Sequence, residues 1–195
     1  MRDDLTRRRL LAGAAGVAAT LAGCSGGGTT GETPTPNEGG EMTPTRNGAE
    51  TTPTPLSNWR TASLTDVLTG ESFSIDGLAG PVVLETFAVW CPTCTEQQKE
   101  LGQLRDTELS LVTLNTDPNE DAEKVRRHAE EHGFDWRYAV APAAYTKALV
   151  DEFGTAVTVA PRTPVIVICD DGTATFLDNA GIETADRIRS EAANC

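Results

Sequence analysis

The 195-residue sequence carries a formal net charge of −13, and because its first 24 residues hold four Arg against two Asp, the remainder stands at −15. Only three Lys occur, Lys99, Lys124 and Lys147, beside thirteen Arg. This balance excludes nucleic acid as a partner, since phosphate neutralisation needs a basic patch, and it suits a surface that stays solvated and self-repelling in high salt. The surface of an extreme halophile is the preferred reading, with an ordinary acidic secreted protein as the alternative.

Residues 1–24, "MRDDLTRRRLLAGAAGVAATLAGC", read as an export leader rather than as part of a fold. Arg7, Arg8 and Arg9 form a basic start, and Leu10 to Ala22 is a weakly apolar stretch of 13 residues, well short of the roughly 20 that span a bilayer. The "TRRRLL" core resembles a twin-arginine signal. "LAGC" resembles a lipobox, with Cys24 as the lipidated residue; a plain signal peptide with a chance Cys is the alternative. Two acyl chains anchor stably where one does not, so a diacylglyceryl group on Cys24 would tether the chain. Residues 25–57 are dominated by Gly, Thr, Pro, Glu and Asn. They offer little to bury against the entropy of folding and read as an extended, disordered linker, with O-glycosylation candidates among the Thr.

Residues 58–195 have globular composition. "TASLTDVLTGESFSI" predicts a short hairpin around its "TGE" turn. "PVVLETFAV", Pro81 to Val89, is an apolar strand that ends at two cysteines, and "CTEQQKELGQLRD" follows with helical spacing of Leu101 and Leu104. "LSLVTLNT" is a second buried strand. "NEDAEKVRRHAEEHGF" is a polar helix stopped by Gly133, "WRYAVA" a short strand, and "PAAYTKALVDEFG" a helix between Pro142 and Gly154. "TPVIVIC" is a third apolar strand, "DDG" a hairpin turn, "TATFLD" the returning strand, and "ETADRIRSEAAN" a terminal helix. Alternating strands and helices with a late hairpin predict an α/β sheet covered on both faces.

The chemistry concentrates in "VWCPTC", Val89 to Cys94. Structural zinc needs four ligands, and no second Cys-x-x-Cys exists; the remaining cysteines of the domain, Cys169 and Cys195, are 26 residues apart. No metal or other cofactor is expected. A purely structural Cys91–Cys94 staple closes too short a loop to constrain the unfolded chain much. A redox pair uses more of the context. At a strand-to-helix junction the free backbone N–H groups and the helix dipole favour a thiolate, and Pro92 fits a first helical position. Cys91 is expected to be the exposed nucleophile and Cys94, one turn further in, the resolving thiol.

"VVLETFAVWCPTC" together with "RTPVIVICDDG" resembles the thioredoxin-like fold, and most closely the membrane-tethered, extracytoplasmic thiol-disulfide oxidoreductases of the TlpA/ResA type, over roughly residues 58–193. The resemblance implies a three-layer α/β/α sandwich with a central mixed sheet and an N-terminal hairpin. It implies that Pro164 is a cis-proline facing the Cys pair, that the backbone of Thr163 is free to pair with a substrate strand, and that Trp90 and Pro92 border the substrate site. Glu85 holds the place of thioredoxin's buried acid; in an apolar strand its pKa is raised, and it would take the proton of Cys94. The alternative is a Glu whose head reaches solvent. The longer gap between Cys94 and Pro164 suits an extra strand–helix insertion within residues 117–153. Two departures are Pro92-Thr93 between the cysteines, on which the potential depends, and Gln97 where the ResA-like branch often carries an acid. Implied partners are exported proteins bearing thiols or disulfides, among them apo-cytochrome c or copper-site cysteines, and a membrane electron donor or acceptor.

Three further readings remain. "HAEEH", His128 to His132, formally fits the His-x-x-Glu-His pattern of some zinc peptidases, but a solvated helix face with Val125 and Ala129 as its thin apolar stripe explains it better. Cys169 and Cys195 either form a disulfide worth about 3 kcal/mol or stay a buried thiol and a frayed one. On the same fold, a thiol peroxidase places a Thr three residues before its reactive Cys, where Ala88 stands for Cys91, and a Sco-like copper carrier uses Cys-x-x-x-Cys with a distant His, one residue longer than the spacing here.

Overall fold

The protein is described from a computed structural model covering residues 56–177 and 181–195. The leader with Cys24, and nearly all of the linker, lie outside the described residues.

A small antiparallel hairpin of β1 (Leu64–Thr65) and β2 (Ser72–Phe73) forms where "TGE" predicts a turn. The central sheet has five strands, β3 (Val82–Phe87), β4 (Ser110–Asn115), β5 (Arg137–Val140), β6 (Val165–Ile168) and β7 (Ala174–Leu177). Their spatial order is β5-β4-β3-β6-β7. β3 runs parallel to β4 and β4 to β5, whereas β6 and β7 are antiparallel to their neighbours. The sheet is therefore mixed, with β3 at its centre and buried at every position. Burial on both faces explains why "VVLETF" reads as a continuous apolar run instead of alternating.

Alternate residues of the strands serve opposite layers. Leu84, Val112, Leu114, Ile166 and Ile168 pack with Tyr145 and Leu149 of α3 (Ala143–Phe153) and with Trp59 and Ile75 of the N-terminal segment. Val83, Leu111, Val165 and Val167 pack with Leu101 of α1 (Pro92–Gly102), with Leu104 just beyond it and with Ile188 of α4 (Ala185–Ala192). Toward the β3–α1 junction the same face continues through Phe87 and Tyr138 to Val125 and Ala129 of α2 (Ala122–His132). Each such fully buried aliphatic or aromatic side chain contributes about 1.5–3 kcal/mol. The result is the three-layer α/β/α sandwich of the thioredoxin-like fold.

Local signals place the helix ends. Asp121 caps α2 through Lys124 N–H at 2.9 Å, and Gly133, at φ 71°, ends it in the left-handed region that suits glycine. Residues 117–153 hold α2, β5 and α3, and β5 adds a parallel strand outside β4. The sequence patterns do not announce three short 3-10 turns, Ile75–Gly77, Thr155–Thr158 and Ala160–Arg162; runs of three or four residues carry no period to read. Cys169, just past β6, and Cys195, beyond α4, are joined in a disulfide with Cα atoms 5.1 Å apart. This link ties the end of α4 to the sheet and constrains the unfolded chain by about 3 kcal/mol.

Candidate active site

The site is built where β3 leaves the sheet. Cys91 is the N-cap of α1, with extended backbone at φ −94° and ψ 105° and Pro92 in the first turn. Its Sγ accepts the N–H of Cys94 at 3.2 Å and lies 3.2 Å from Thr93 Oγ1. The Cys94 thiol, one turn deeper, donates to the carbonyl of Ala160 at 3.1 Å. Both cysteines are free thiols. The expected exposure of Cys91 is corrected here: the residue is only 1 % exposed. As an N-cap its sulfur points back over the first turn to meet an orphan N–H, not outward. Trp90, Pro92 and Thr93 are the exposed members of the motif; Trp90 is 59 % exposed, and its indole N–H donates to Asp117 Oδ2 at 2.6 Å.

Glu120 braces this junction, a part that sequence patterns do not reveal. Its Oε2 accepts from Val89 N–H at 2.8 Å and from Asn115 Nδ2 at 2.6 Å, fastening the chain before Cys91 to the end of β4.

Thr163 and Pro164 depart from expectation. No cis peptide bond occurs among the described residues, so the Thr163–Pro164 bond is trans. The chain reverses instead through Thr163 itself, at φ 50° and ψ 57°, an uncommon conformation for a β-branched residue. Its N–H donates to Ala160 O at 2.8 Å, closing the preceding 3-10 turn, and its hydroxyl donates to Gly181 O at 2.7 Å. The Thr163 N–H is thus engaged within the fold rather than free, and both Thr163 and Pro164 are buried. Pro164 O accepts Thr86 N–H at 3.1 Å, which sets β6 beside β3.

Glu85 lies in the middle of β3 and is fully buried, at 0 % exposure, so its head does not reach solvent. It stands level with Thr113 on β4, and Thr113 level with Tyr138 on β5. The hydroxyl of Thr113 donates to Glu85 Oε2 at 3.3 Å and itself accepts from Trp136 Nε1 at 2.9 Å. Glu85 Oε1 and the Tyr138 hydroxyl have no hydrogen-bond partner. Burial holds the Glu85 carboxyl well above the usual carboxylate range; the Gln98 amide and Thr113 oppose this, and the Cys91 charge adds to it. Burial likewise pushes the Cys94 thiol far up, with Cys91 and the charge of Glu85 contributing. An acid of ordinary strength is a poor base for a thiol; raising the carboxyl narrows the gap between donor and acceptor.

Two neighbouring glutamines take unforeseen roles. Gln97, fully buried, donates from Nε2 to Glu183 O at 2.9 Å and accepts Glu183 N–H at 2.6 Å. It clasps the segment leading into α4 at the position where an acid was the family expectation. Gln98, also buried, meets His128 Nε2 with its Oε1 at 2.7 Å. His128 is 4 % exposed, so the reading of "HAEEH" as a solvated face is corrected for this residue. It continues the Val125–Ala129 stripe by helical spacing, which was the available signal. Burial, then the neighbouring His132, lowers the pKa of His128 from 6.5 to about 4, so the ring is neutral at pH 7. Among the described residues no group of three or more His, Cys, Asp or Glu is arranged to hold a metal ion.

A mixed sheet with a Cys-x-x-Cys pair at the head of α1 and a buried acid beneath it defines a thioredoxin-like disulfide oxidoreductase. The chain belongs to the Redoxin family, whose profile matches residues 52–191. No curated protein matches the chain. Among solved structures it is similar to a secreted Mycobacterium tuberculosis disulfide oxidoreductase described as homologous to E. coli DsbE, at 19 % identity and TM-score 0.51, covering 69 % of this chain and 96 % of that one. A thioredoxin-like protein from Aeropyrum pernix matches at 18 % identity and TM-score 0.53, covering 69 % and 89 %. A thiol:disulfide interchange protein from Chlorobium tepidum matches at 16 % and 0.54, covering 67 % and 92 %.

Proposed function

We propose that this protein is an extracytoplasmic, lipid-anchored thiol-disulfide oxidoreductase of the TlpA/ResA type that exchanges disulfides with exported proteins. The observation that carries the reading is the Cys91–Cys94 pair capping α1 above the buried Glu85. The Cys91 thiolate attacks a client disulfide, forming a mixed disulfide and releasing one client sulfur as thiolate. Cys94 passes its proton to the ionised form of Glu85 and attacks Cys91 Sγ, expelling the second client sulfur as thiolate. The client gains two electrons and the Cys91–Cys94 pair is oxidised by two. A membrane electron donor re-reduces the pair; with an acceptor instead, the same steps run in reverse. Cys91 Sγ is covered in the resting site, so a client reaches it only after local opening, while the Cys94 N–H it accepts favours its thiolate. Trp90 and Pro92 form the rim a client meets first, and movement at Thr163–Pro164 would open the facing wall. Exported apo-cytochrome c or copper-site cysteines suit this chemistry as clients. The leader ending in Cys24 and the Thr/Pro-rich linker support the tethered location, and the secreted mycobacterial neighbour supports work outside the cytoplasm.

Trapping tests the reading. With Cys94→Ser, the mixed disulfide on Cys91 cannot resolve, so an exported client accumulates as a dithiothreitol-sensitive adduct in the membrane fraction. Cys24→Ala moves the protein and its adduct to the soluble fraction. Failure to trap any exported protein would contradict the oxidoreductase assignment, and a wild-type chain already soluble would contradict the anchor.

A further inference from the structure

We propose that Gln98 and His128 are positioning residues for Glu85, the imidazole fixing the Gln98 amide so that its Nε2 faces the buried carboxyl. The inference deepens the oxidoreductase reading and rests on it for the role of Glu85. Three elements converge: β3 supplies Glu85, α1 supplies Gln98 one turn beyond Cys94, and α2 supplies His128. All three side chains are buried. Gln98 Oε1 lies 2.7 Å from His128 Nε2. A carbonyl oxygen only accepts, so Nε2 carries the proton and donates. That bond leaves the Gln98 amino group as the group free to face the acid. Gln98 Nε2 and Glu85 Oε1 are both buried without a hydrogen-bond partner, and the amide opposes the rise in the carboxyl's proton affinity. A donor fixed beside the acid favours the ionised form over the protonated one. It therefore keeps Glu85 able to accept the Cys94 proton and to give it up again.

The aromatic surroundings hold the donor in place. The His128 ring lies 5.4 Å from Phe87, 6.1 Å from Phe134 and 4.8 Å from His132, centroid to centroid. The other groups bearing on Glu85 are Cys91 and Cys94 from α1, Thr113 from β4 and Tyr138 from β5, with His132 beyond His128 on α2; Val165 stands opposite on β6. The Cys91 charge opposes a negative charge on Glu85. Gln98 and Thr113 are the two side chains that favour it.

The test is a carbon-13 titration of the Glu85 carboxyl in the reduced full chain, run beside an insulin-reduction assay across pH. Gln98→Met keeps the volume and removes the donor; the Glu85 midpoint should rise by about one pH unit, and turnover below that midpoint should slow about tenfold. His128→Phe removes the anchoring N–H and should move the midpoint the same way, whereas His128→Gln, which restores a donor, should return it toward wild type. An unchanged midpoint in a folded Gln98→Met overturns the inference. If Gln98→Met does not fold, the two His128 variants decide: identical midpoints, shifted or not, show that the N–H is irrelevant and overturn it equally. A wild-type chain inactive on insulin would count against the oxidoreductase reading, while the titration still decides the role of Gln98 and His128.

Discussion

Cys91→Ser is expected to stop disulfide exchange, lowering the insulin-reduction rate by at least about three orders of magnitude. A serine hydroxyl at this position would still accept the Cys94 N–H and preserve the cap, so the helix and overall stability should change little. What is lost is the sulfur nucleophile, since the thiolate carries both the first attack and the mixed disulfide. Cys94→Ser should behave differently. It keeps the first attack and loses the second, giving a single stoichiometric release of client thiol followed by arrest. Equal behaviour of the two variants, or appreciable turnover by Cys91→Ser, would contradict the assigned order of attack.

Glu85→Gln is expected to separate stability from catalysis. The carboxyl is held protonated to unusually high pH by burial. Between the ordinary value of 4.5 and its raised value, the unfolded chain releases a proton that the folded chain retains. Stability contributed by the protonated form is therefore full below the ordinary value and is lost as pH rises toward the raised one, at about 1.4 kcal/mol per pH unit within that window. An amide has no such proton to retain. The stability difference, Glu85→Gln minus wild type, should grow with pH from about 5 upward, as read from urea midpoints at several pH values. The variant should meanwhile slow the resolving step by about a hundredfold, within the usual range for general acid–base catalysis. A difference constant with pH would contradict the burial-driven shift, and a resolving step at the wild-type rate would contradict the base role.

Particular residues show what a single sequence discloses about such a site. β3 and α1 are legible because their apolar periods are long and the cysteines mark the junction. Glu85 stands out because an acid within "VVLETF" has no cheap place to go. The exposure of Cys91 was not legible, because an N-cap sulfur turns inward or outward according to which backbone N–H it meets, here that of Cys94. The geometry of Thr163–Pro164 was equally hidden: the Thr163 hydroxyl meets the carbonyl of Gly181, eighteen residues away in sequence. His128 shared the helical stripe of Val125 and Ala129, yet its charge-rich neighbours masked it. Gln97 and Gln98 carry no pattern of their own; one clasps Glu183 and the other meets His128, and both roles arise only when distant segments pack. The disulfide between Cys169 and Cys195 depends likewise on where α4 ends relative to β6.

The most direct measurement is a redox titration of the full chain in glutathione buffers, with acid quench, alkylation of free thiols and mass analysis of the peptides. A single two-electron transition is predicted, confined to Cys91 and Cys94, with the Cys169–Cys195 disulfide unchanged across the range. A Cys91–Cys94 pair that stays fully reduced, or fully oxidised, at every potential at which exported thiols and disulfides exchange would contradict the claim that these two residues carry the electrons.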